Sequence, residues 1–338
     1  MVDSIPCSLN THMQEPDKIR AFLKKVGRGK TLSRDLTREE AREAVASLLR
    51  GEFTPAQTGA FLQALRIKET SVDELVGAAE GAASFRQGAF PVQPAGAEHP
   101  LVVNLAFDTA RKGGVVSLVA LAWLRSRGLV RGMVVWEPPS IHREADAMGR
   151  TLDAIRSQPW LAASMPETAT VREMCPRWQE LASIRQELGF RSILNTVEKL
   201  LRPWETVPVV VGISHDTFSE RLCHVLNALG APRVAVVRGN HGTCDLGLGE
   251  KPTEVHAFAD GVVREVLVGA TDFPWKTDPS VLLVSSLDSW KDQLADDSSP
   301  LWGAVLAQAA FFHSIATGSP LSESVNLAAS LPKGPLHA

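Results

Sequence analysis

Between residues 37 and 83, apolar positions recur every three or four residues behind three start signals of one kind. Thr37 is followed three residues later by Glu40, Thr54 by Gln57 and Ser71 by Glu74. In such a pair the hydroxyl accepts an orphan amide of the first helical turn, and the acidic or amide side chain reaches back to the amide of the cap. The stripes behind the signals are Ala41, Ala44, Val45, Leu48 and Leu49, then Phe61, Leu62 and Leu65, then Leu75, Ala78, Ala79 and Ala82. Pro55 stands at a first helical position and Gly51 at a helix end, the places each residue favours. The pattern predicts a helical domain over residues 17–85, after a loose polar arm at 1–16. The run RQGAFPVQPAGAEHP (86–100) is rich in Pro, Gly and Ala and reads as a linker.

After residue 100 the period changes. LVVNLAF (101–107), GMVVWE (132–137), VPVVVGIS (207–214) and RVAVVRG (233–239) are short β-rich runs, and helical patterns at 116–128, 141–157 and 218–230 stand among them. Apolar strands alternating with amphipathic helices predict a mostly parallel sheet covered on both faces. EVHAFADGVVREVLV (254–268) has two extended halves around Asp260-Gly261 and reads as a hairpin. Residues 160–203 read as helical, and the insertion 160–190 is expected to pack with the N-terminal helices. The apolar helix at 302–318 is expected in the core. The fold class is α/β: a small N-terminal helical domain, and a larger α/β domain over 101–338 with a mostly parallel central sheet flanked by helices.

Composition narrows the function classes. With 44% apolar and 22% charged residues, the 338-residue chain can bury a sizeable core, and its length suggests two domains. The formal net charge of −3 excludes a whole-protein basic field, so any anion site must be a local patch. The apolar strand runs are too short to span a bilayer. The N-terminus has no cationic start followed by an apolar core. Cys7, Cys175, Cys223 and Cys244 form no CxxC, which fits a reducing compartment. A cytoplasmic protein with no membrane partner is therefore expected.

Three stretches could carry chemistry. DTARKGGVVS (108–117) follows a strand and opens a helix, where phosphates bind in such sheets. Gly113 and Gly114 permit close backbone approach, and Arg111 and Lys112 add charge, although a tight turn with two solvated cations reads equally well. RGNHGTCDLGLGE (238–250) follows another strand. Asp245 there could take magnesium, but one carboxylate is a weak, incomplete site. RQELGFRSILNTVEKLLRP (185–203) holds Arg185, Arg191, Lys199 and Arg202 around Asn195, behind a helix that Gly189 would end. Without further information it reads as a solvated connection. The histidines show no HExxH, no GxSxG or SxxK is present, and no catalytic residue is assigned.

In this order, behind a helical domain, the three stretches resemble the glycosyltransferase family that includes anthranilate phosphoribosyltransferase and the thymidine-type nucleoside phosphorylases. The resemblance rests on LTREEAREAVASLLRGEFTPAQTGAFLQALRIKETSVDELVGAAEGA, on RQELGFRSILNTVEKLLRP against R-x-x-L-G-x-R-T-x-x-N-x-x-G-P-L-x-N-P, and on VVVGISHDTF and VAVVRGNHG. It covers about residues 17–333 and implies a nucleoside phosphorylase/phosphoribosyltransferase-like fold, dimerised through the helical domain. It also implies that Arg185 and Asn195 lie on the acceptor side of the cleft and that Gly113-Gly114 occupy the diphosphate-loop position.

The chain departs from the family where the chemistry sits. NLAFDTARKGG stands where the enzymes carry G-T-G-G-D, VVWEPPSIHR where they carry K-H-G-N-R, Cys244-Asp245 for an Asp-Glu magnesium pair, and Glu198-Lys199-Leu200 for G-P-L. Lost glycines remove amides from the diphosphate, a lost carboxylate weakens the metal, and Glu137 and Glu198 add repulsion. The R-S-x-x-x-T-x-x-K-L-L-x-P and A-R-K forms are similar to the YbiB-type branch. That likeness implies a dimer without the parent activity that binds nucleic acid along a basic groove. Arg111, Lys112, Arg191, Lys199 and Arg202 would then meet phosphates. No cofactor is expected. An altered pentosyltransferase using phosphoribosyl pyrophosphate and magnesium is the alternative, and a structural dimer with a vestigial cleft the second.

Overall fold

Asn104 and Gly212 end two adjacent parallel strands, and what gathers at that end of the sheet defines the candidate site. The computed structural model describes residues 15–29, 31–88, 90, 98–105, 115–136, 152–153, 155–156, 159–214, 218–278 and 287–334. Arg111, Lys112, Gly113, Gly114, Glu137, most of the linker and most of the 141–157 helix lie outside the described residues.

The N-terminal region comprises helices α1 (Glu15–Val26), α2 (Arg38–Leu49), α3 (Pro55–Lys68) and α4 (Val72–Ala83). All three expected capping boxes form, with both reciprocal hydrogen bonds present at Thr37, Thr54 and Ser71. The third is tied into the fold beyond its own helix. Glu74 is buried, accepts from the Leu36 and Ser71 amides at 2.9 Å each, and pairs with Lys68 at 2.6 Å.

Helices α2 and α4 pack against one another through glycine. Gly77 and Gly81 are four residues apart and so share one face of α4. A Cβ on Gly77 would overlap the Arg38 carbonyl oxygen, and one on Gly81 the Arg42 carbonyl oxygen. Gly77→Ala is therefore expected to destabilise the protein by about 1–3 kcal/mol through overpacking. Urea unfolding should show a lower midpoint at unchanged slope. An unchanged midpoint would contradict this account of the helix pair.

The larger region is built on a seven-stranded sheet of order β3-β2-β1-β4-β5-β6-β7. Its strands are β1 (His99–Asn104), β2 (Val130–Trp136), β3 (Glu167–Thr170), β4 (Val209–Gly212), β5 (Val234–Val237), β6 (Thr253–Ala259) and β7 (Val262–Val268). The first five are parallel and the last two antiparallel. The hairpin turns at Asp260 and Gly261, both with positive φ (51° and 81°), as the Asp-Gly signal requires.

One expectation fails here. Residues 160–203 are not helical throughout, because Glu167–Thr170 form β3 at the sheet edge, in register with Met133–Trp136. The run ETAT is short and carries no apolar alternation. What fixes it is non-local: the β2 ladder, and Glu167 paired with Arg131 at 2.7 Å and Arg125 at 3.3 Å.

Strand residues alternate between two cores, as period two demands. Val102, Val209 and Val211 face a core shared with α1–α4 and with Trp178, Leu194, Val197 and Leu201. Leu101, Val103 and Val210 face α5 (Val115–Ser126) and the helix Pro300–Thr317. That last helix is buried along almost its whole length and ends at Gly318, whose φ is 82°. No helix among the described residues is long and apolar enough to cross a membrane.

Candidate functional site

Two segments close over the carboxyl ends of β1, β4 and β5. The first is Arg185–Pro203. Its helix, Ala182–Leu188, ends at Gly189 in the left-handed conformation (φ 63°). A short helix, Ile193–Val197, then starts on Ser192, whose amide donates to Asn195 Oδ1 at 3.0 Å. Asn195 thus serves the helix start, and it stands half-buried.

Arg185 does not open toward an acceptor. It is 2% exposed and forms a two-pronged ion pair with Glu198, itself 2% exposed, with Nη2 to Oε2 at 3.3 Å. Trp178 Nε1 donates to the same carboxylate at 2.8 Å. The Glu198 carboxylate holds this cationic side chain in the interior, and a charge pair this deep persists only because each member has its counterion. The acceptor-side position that the resemblance implies for Arg185 is thus held by a side chain already paired within the protein.

The remaining cations of this segment divide. Lys199 is half-buried, and its Nζ donates to the Gly212 carbonyl at 2.7 Å, at the end of β4. Arg191 is exposed. Arg202 is 5% exposed and donates to the Glu205 and Leu229 carbonyls at 2.8 Å each. The helix Ser219–Ala228 starts beside the carboxyl end of the sheet and runs back, so Leu229 lies at the opposite end. The Arg202 guanidinium, which the resemblance implies among the groove cations, is thus occupied by carbonyls beside Leu229.

The second segment is the loop after β5. A Cβ on Gly212 would lie 2.6 Å from the Gly242 carbonyl oxygen, so glycine there lets the loop settle on the strand end. The loop satisfies its own polar groups: the Asn240 amide donates to the Asp245 carbonyl at 2.9 Å, and Gln308 bridges Leu246 N (2.8 Å) and Cys244 O (3.1 Å). Cys244 is fully buried in the apolar core, and burial pushes its thiol far above the ordinary range.

Asp245 is buried too. Its Oδ1 accepts from Ser117 N at 2.9 Å and Ser117 Oγ at 2.6 Å, so it caps the first turn of α5. Burial raises its carboxyl above the usual carboxylate range, while the Ser117 and Val116 donors pull it back. A buried thiol and a carboxylate committed to a helix start do not fit magnesium, which asks for hard oxygen ligands in near-octahedral array. No group of three or more His, Cys, Asp or Glu among the described residues could hold a metal. Asp245→Ala is expected to cost about 1–2 kcal/mol, the loss of a helix cap. Equilibrium unfolding with and without millimolar magnesium checks this. A wild type stabilised by magnesium through Asp245 would contradict the capping role.

The stretch 238–250 borders a cavity together with residues that carry no sequence signal of their own. Ser214, Arg238, Gly239, Gly242, Lys251 and Glu254 border a cavity of about 440 Å³ at the ends of β4 and β5. Arg238 is partly neutralised by Glu254 at 2.7 Å. At the seam with the helical region, Arg66 lies 4.9 Å from the Phe190 ring centroid and donates to the Arg191 carbonyl at 2.8 Å. Further along the seam, Arg221 lies 5.0 Å from the Phe218 centroid and donates to the Thr70 carbonyl at 2.7 Å. Phe218 and Ile67 are 40% and 54% exposed. The seam thus offers arginines and open aromatic surface side by side, a combination suited to phosphates and flat rings.

Comparison with known proteins agrees with this architecture. Residues 20–85 match the helical bundle domain of the glycosyl transferase family. The chain is 31% identical over 265 residues to an anthranilate phosphoribosyltransferase of Methylobacterium nodulans, covering 75% of this chain and 74% of that one. It is 30% identical over 275 residues to the enzyme of the same name from Symbiobacterium thermophilum, covering 75% and 74%. Among solved structures, anthranilate phosphoribosyltransferase from Thermus thermophilus superposes with a TM-score of 0.71 at 19% identity, over 94% of this chain and 95% of that one. The Saccharomyces cerevisiae enzyme with PRPP and Mg gives 0.68 at 15% identity, over 95% and 97%.

Proposed function

Because the chain belongs to the anthranilate phosphoribosyltransferase family of glycosyl transferases, we propose that it is a member that no longer transfers phosphoribose to anthranilate and instead binds nucleic acid at the cleft. The observation that carries the first half is the buried Arg185–Glu198 pair, with Trp178 on the same carboxylate. A cation needed to receive an anionic acceptor is already matched by an internal anion, and freeing it would leave a buried charge alone. The poor fit of Cys244 and Asp245 to magnesium, and the absence of the glycine-rich diphosphate sequence at 104–114, support the same reading.

The second half rests on Arg191, Lys199 and the arginine–aromatic seam at Arg66, Phe190, Phe218 and Arg221, together with the cavity bordered by Arg238 and Lys251. Arg111 and Lys112 are assigned to the same surface on sequence alone. Phosphate contacts of this kind hold a backbone without reading its bases. Such a protein fits the description of the YbiB-type branch, with its dimer through the helical domain. Leu32, 67% exposed in the helical region, is an apolar side chain that a second copy would cover. An altered transferase is the second reading, favoured by the identity to enzymes of that name.

The discriminating experiment gives the protein phosphoribosyl pyrophosphate, magnesium and anthranilate and follows both melting temperature and turnover. Neither stabilisation at millimolar ligand nor product is expected. Stabilisation with product formation would return the chain to the transferases.

A further inference from the structure

Behind the cleft, a cavity of about 300 Å³ opens between the end of α4 and the segment Leu200–Glu205, floored by Leu229 and Gly230. Its walls are mostly apolar, with Ala79, Ala82 and Ala83 on the α4 side and Met174 and Leu200 opposite. The volume is at the lower end of the range of small-molecule pockets, about 300–1,000 Å³.

One wall is charged. Arg202 lines the cavity and is 5% exposed. Its Nη2 donates only to main-chain carbonyls, of Glu205 and Leu229, and its Nε has no hydrogen-bond acceptor among the described residues. The two carboxylates bordering the cavity each have an arginine partner, and Arg86, the partner of Glu205, borders the cavity as well. Glu205 is paired with Arg86 at 2.9 Å, and Glu80 with Arg38, whose Nε donates to it at 3.0 Å. A guanidinium held out of water by two main-chain carbonyls, with the Arg86-paired Glu205 as its anionic neighbour, gains from a further anion at its accessible edge. Burial lowers its pKa to about 10, so it is still a cation at neutral pH.

We propose that this cavity is a second ligand site, which takes a small amphipathic carboxylate with its head group on Arg202 and its hydrocarbon body against the alanine wall of α4. The site is distinct from the cleft cations Arg191 and Lys199, neither of which borders it. An occupant touches α4 on one side and Leu200–Glu205 on the other, so its binding favours the docked arrangement of the helical and α/β regions.

The test is thermal melting of the full-length protein with hexanoate and cyclohexanecarboxylate, against hexanol and cyclohexylmethanol as neutral controls. At about ten times the dissociation constant the acids are expected to raise the melting temperature by roughly 2–4 °C. The alcohols are expected to raise it less. Arg202→Met should abolish the difference. Because that variant can fail to fold for want of its carbonyl contacts, Ala83→Met serves as the second: it fills the cavity without touching charge, and should melt like wild type yet not respond to the acids. Arg191→Glu should respond as wild type does. Alcohols as effective as acids, no response in the wild type, a response that survives Ala83→Met, or one that disappears in Arg191→Glu would each overturn the proposal.

Discussion

Glu198→Ala is expected to destabilise the protein by about 3–5 kcal/mol. The variant strips the counterion from Arg185 at a place where both side chains are 3% exposed, and it leaves Trp178 Nε1 without its 2.8 Å acceptor. Loss of the buried Arg185–Glu198 attraction accounts for most of the destabilisation. The double variant Arg185→Met/Glu198→Leu should recover much of it, because removing both charges removes the desolvation cost along with the attraction. Chemical denaturation of the three proteins separates the terms. If Glu198→Ala lost under about 1 kcal/mol, Arg185 would have to have another counterion or access to water, and the argument that the acceptor position is closed would fail with it.

The second large effect concerns binding. Arg191→Ala with Lys199→Ala is expected to reduce the dependence of log K on log salt by roughly two units, about one for each phosphate no longer neutralised. The loss should be the same on oligo(dT) and oligo(dA), because backbone contacts position without reading sequence. Lys199 carries a structural duty as well, since it holds the Gly212 carbonyl. The variant's melting temperature should therefore be measured beside its affinity, so that a folding defect is not mistaken for weakened phosphate binding. A loss confined to one sequence would point to base readout instead.

The parts legible in the sequence were those decided locally. Thr37–Glu40, Thr54–Gln57 and Ser71–Glu74 are complete statements about a helix start within four residues, and each forms as written. The Gly189 end and the Asp260-Gly261 hairpin are of the same kind. Strand β3 was not legible, because ETAT becomes a strand only through β2 and the arginines that fix Glu167.

The site was less legible than the fold for one physical reason: sequence shows a charge but not its partner. The resemblance implies Arg185 on the acceptor side of the cleft and Arg202 among the groove cations. One is matched by Glu198 thirteen residues away and the other by the Glu205 and Leu229 carbonyls. Asp245 read as half a metal site and is the cap of a helix 128 residues earlier in the chain. Conversely, Arg66 and Arg221 look like ordinary surface cations. Only the docking of the two regions places Arg66 on Phe190 and Arg221 on the Thr70 carbonyl.

The measurement that bears most directly on the cleft's role is the anisotropy of a labelled single-stranded oligonucleotide titrated with the full-length protein between about 50 and 200 mM salt, the range over which phosphate-driven binding weakens steeply. The account predicts binding without sequence preference, a log K that falls linearly with log salt, and a shallower line for the Arg191 and Lys199 variant. Absent binding, or an affinity indifferent to salt, would contradict it.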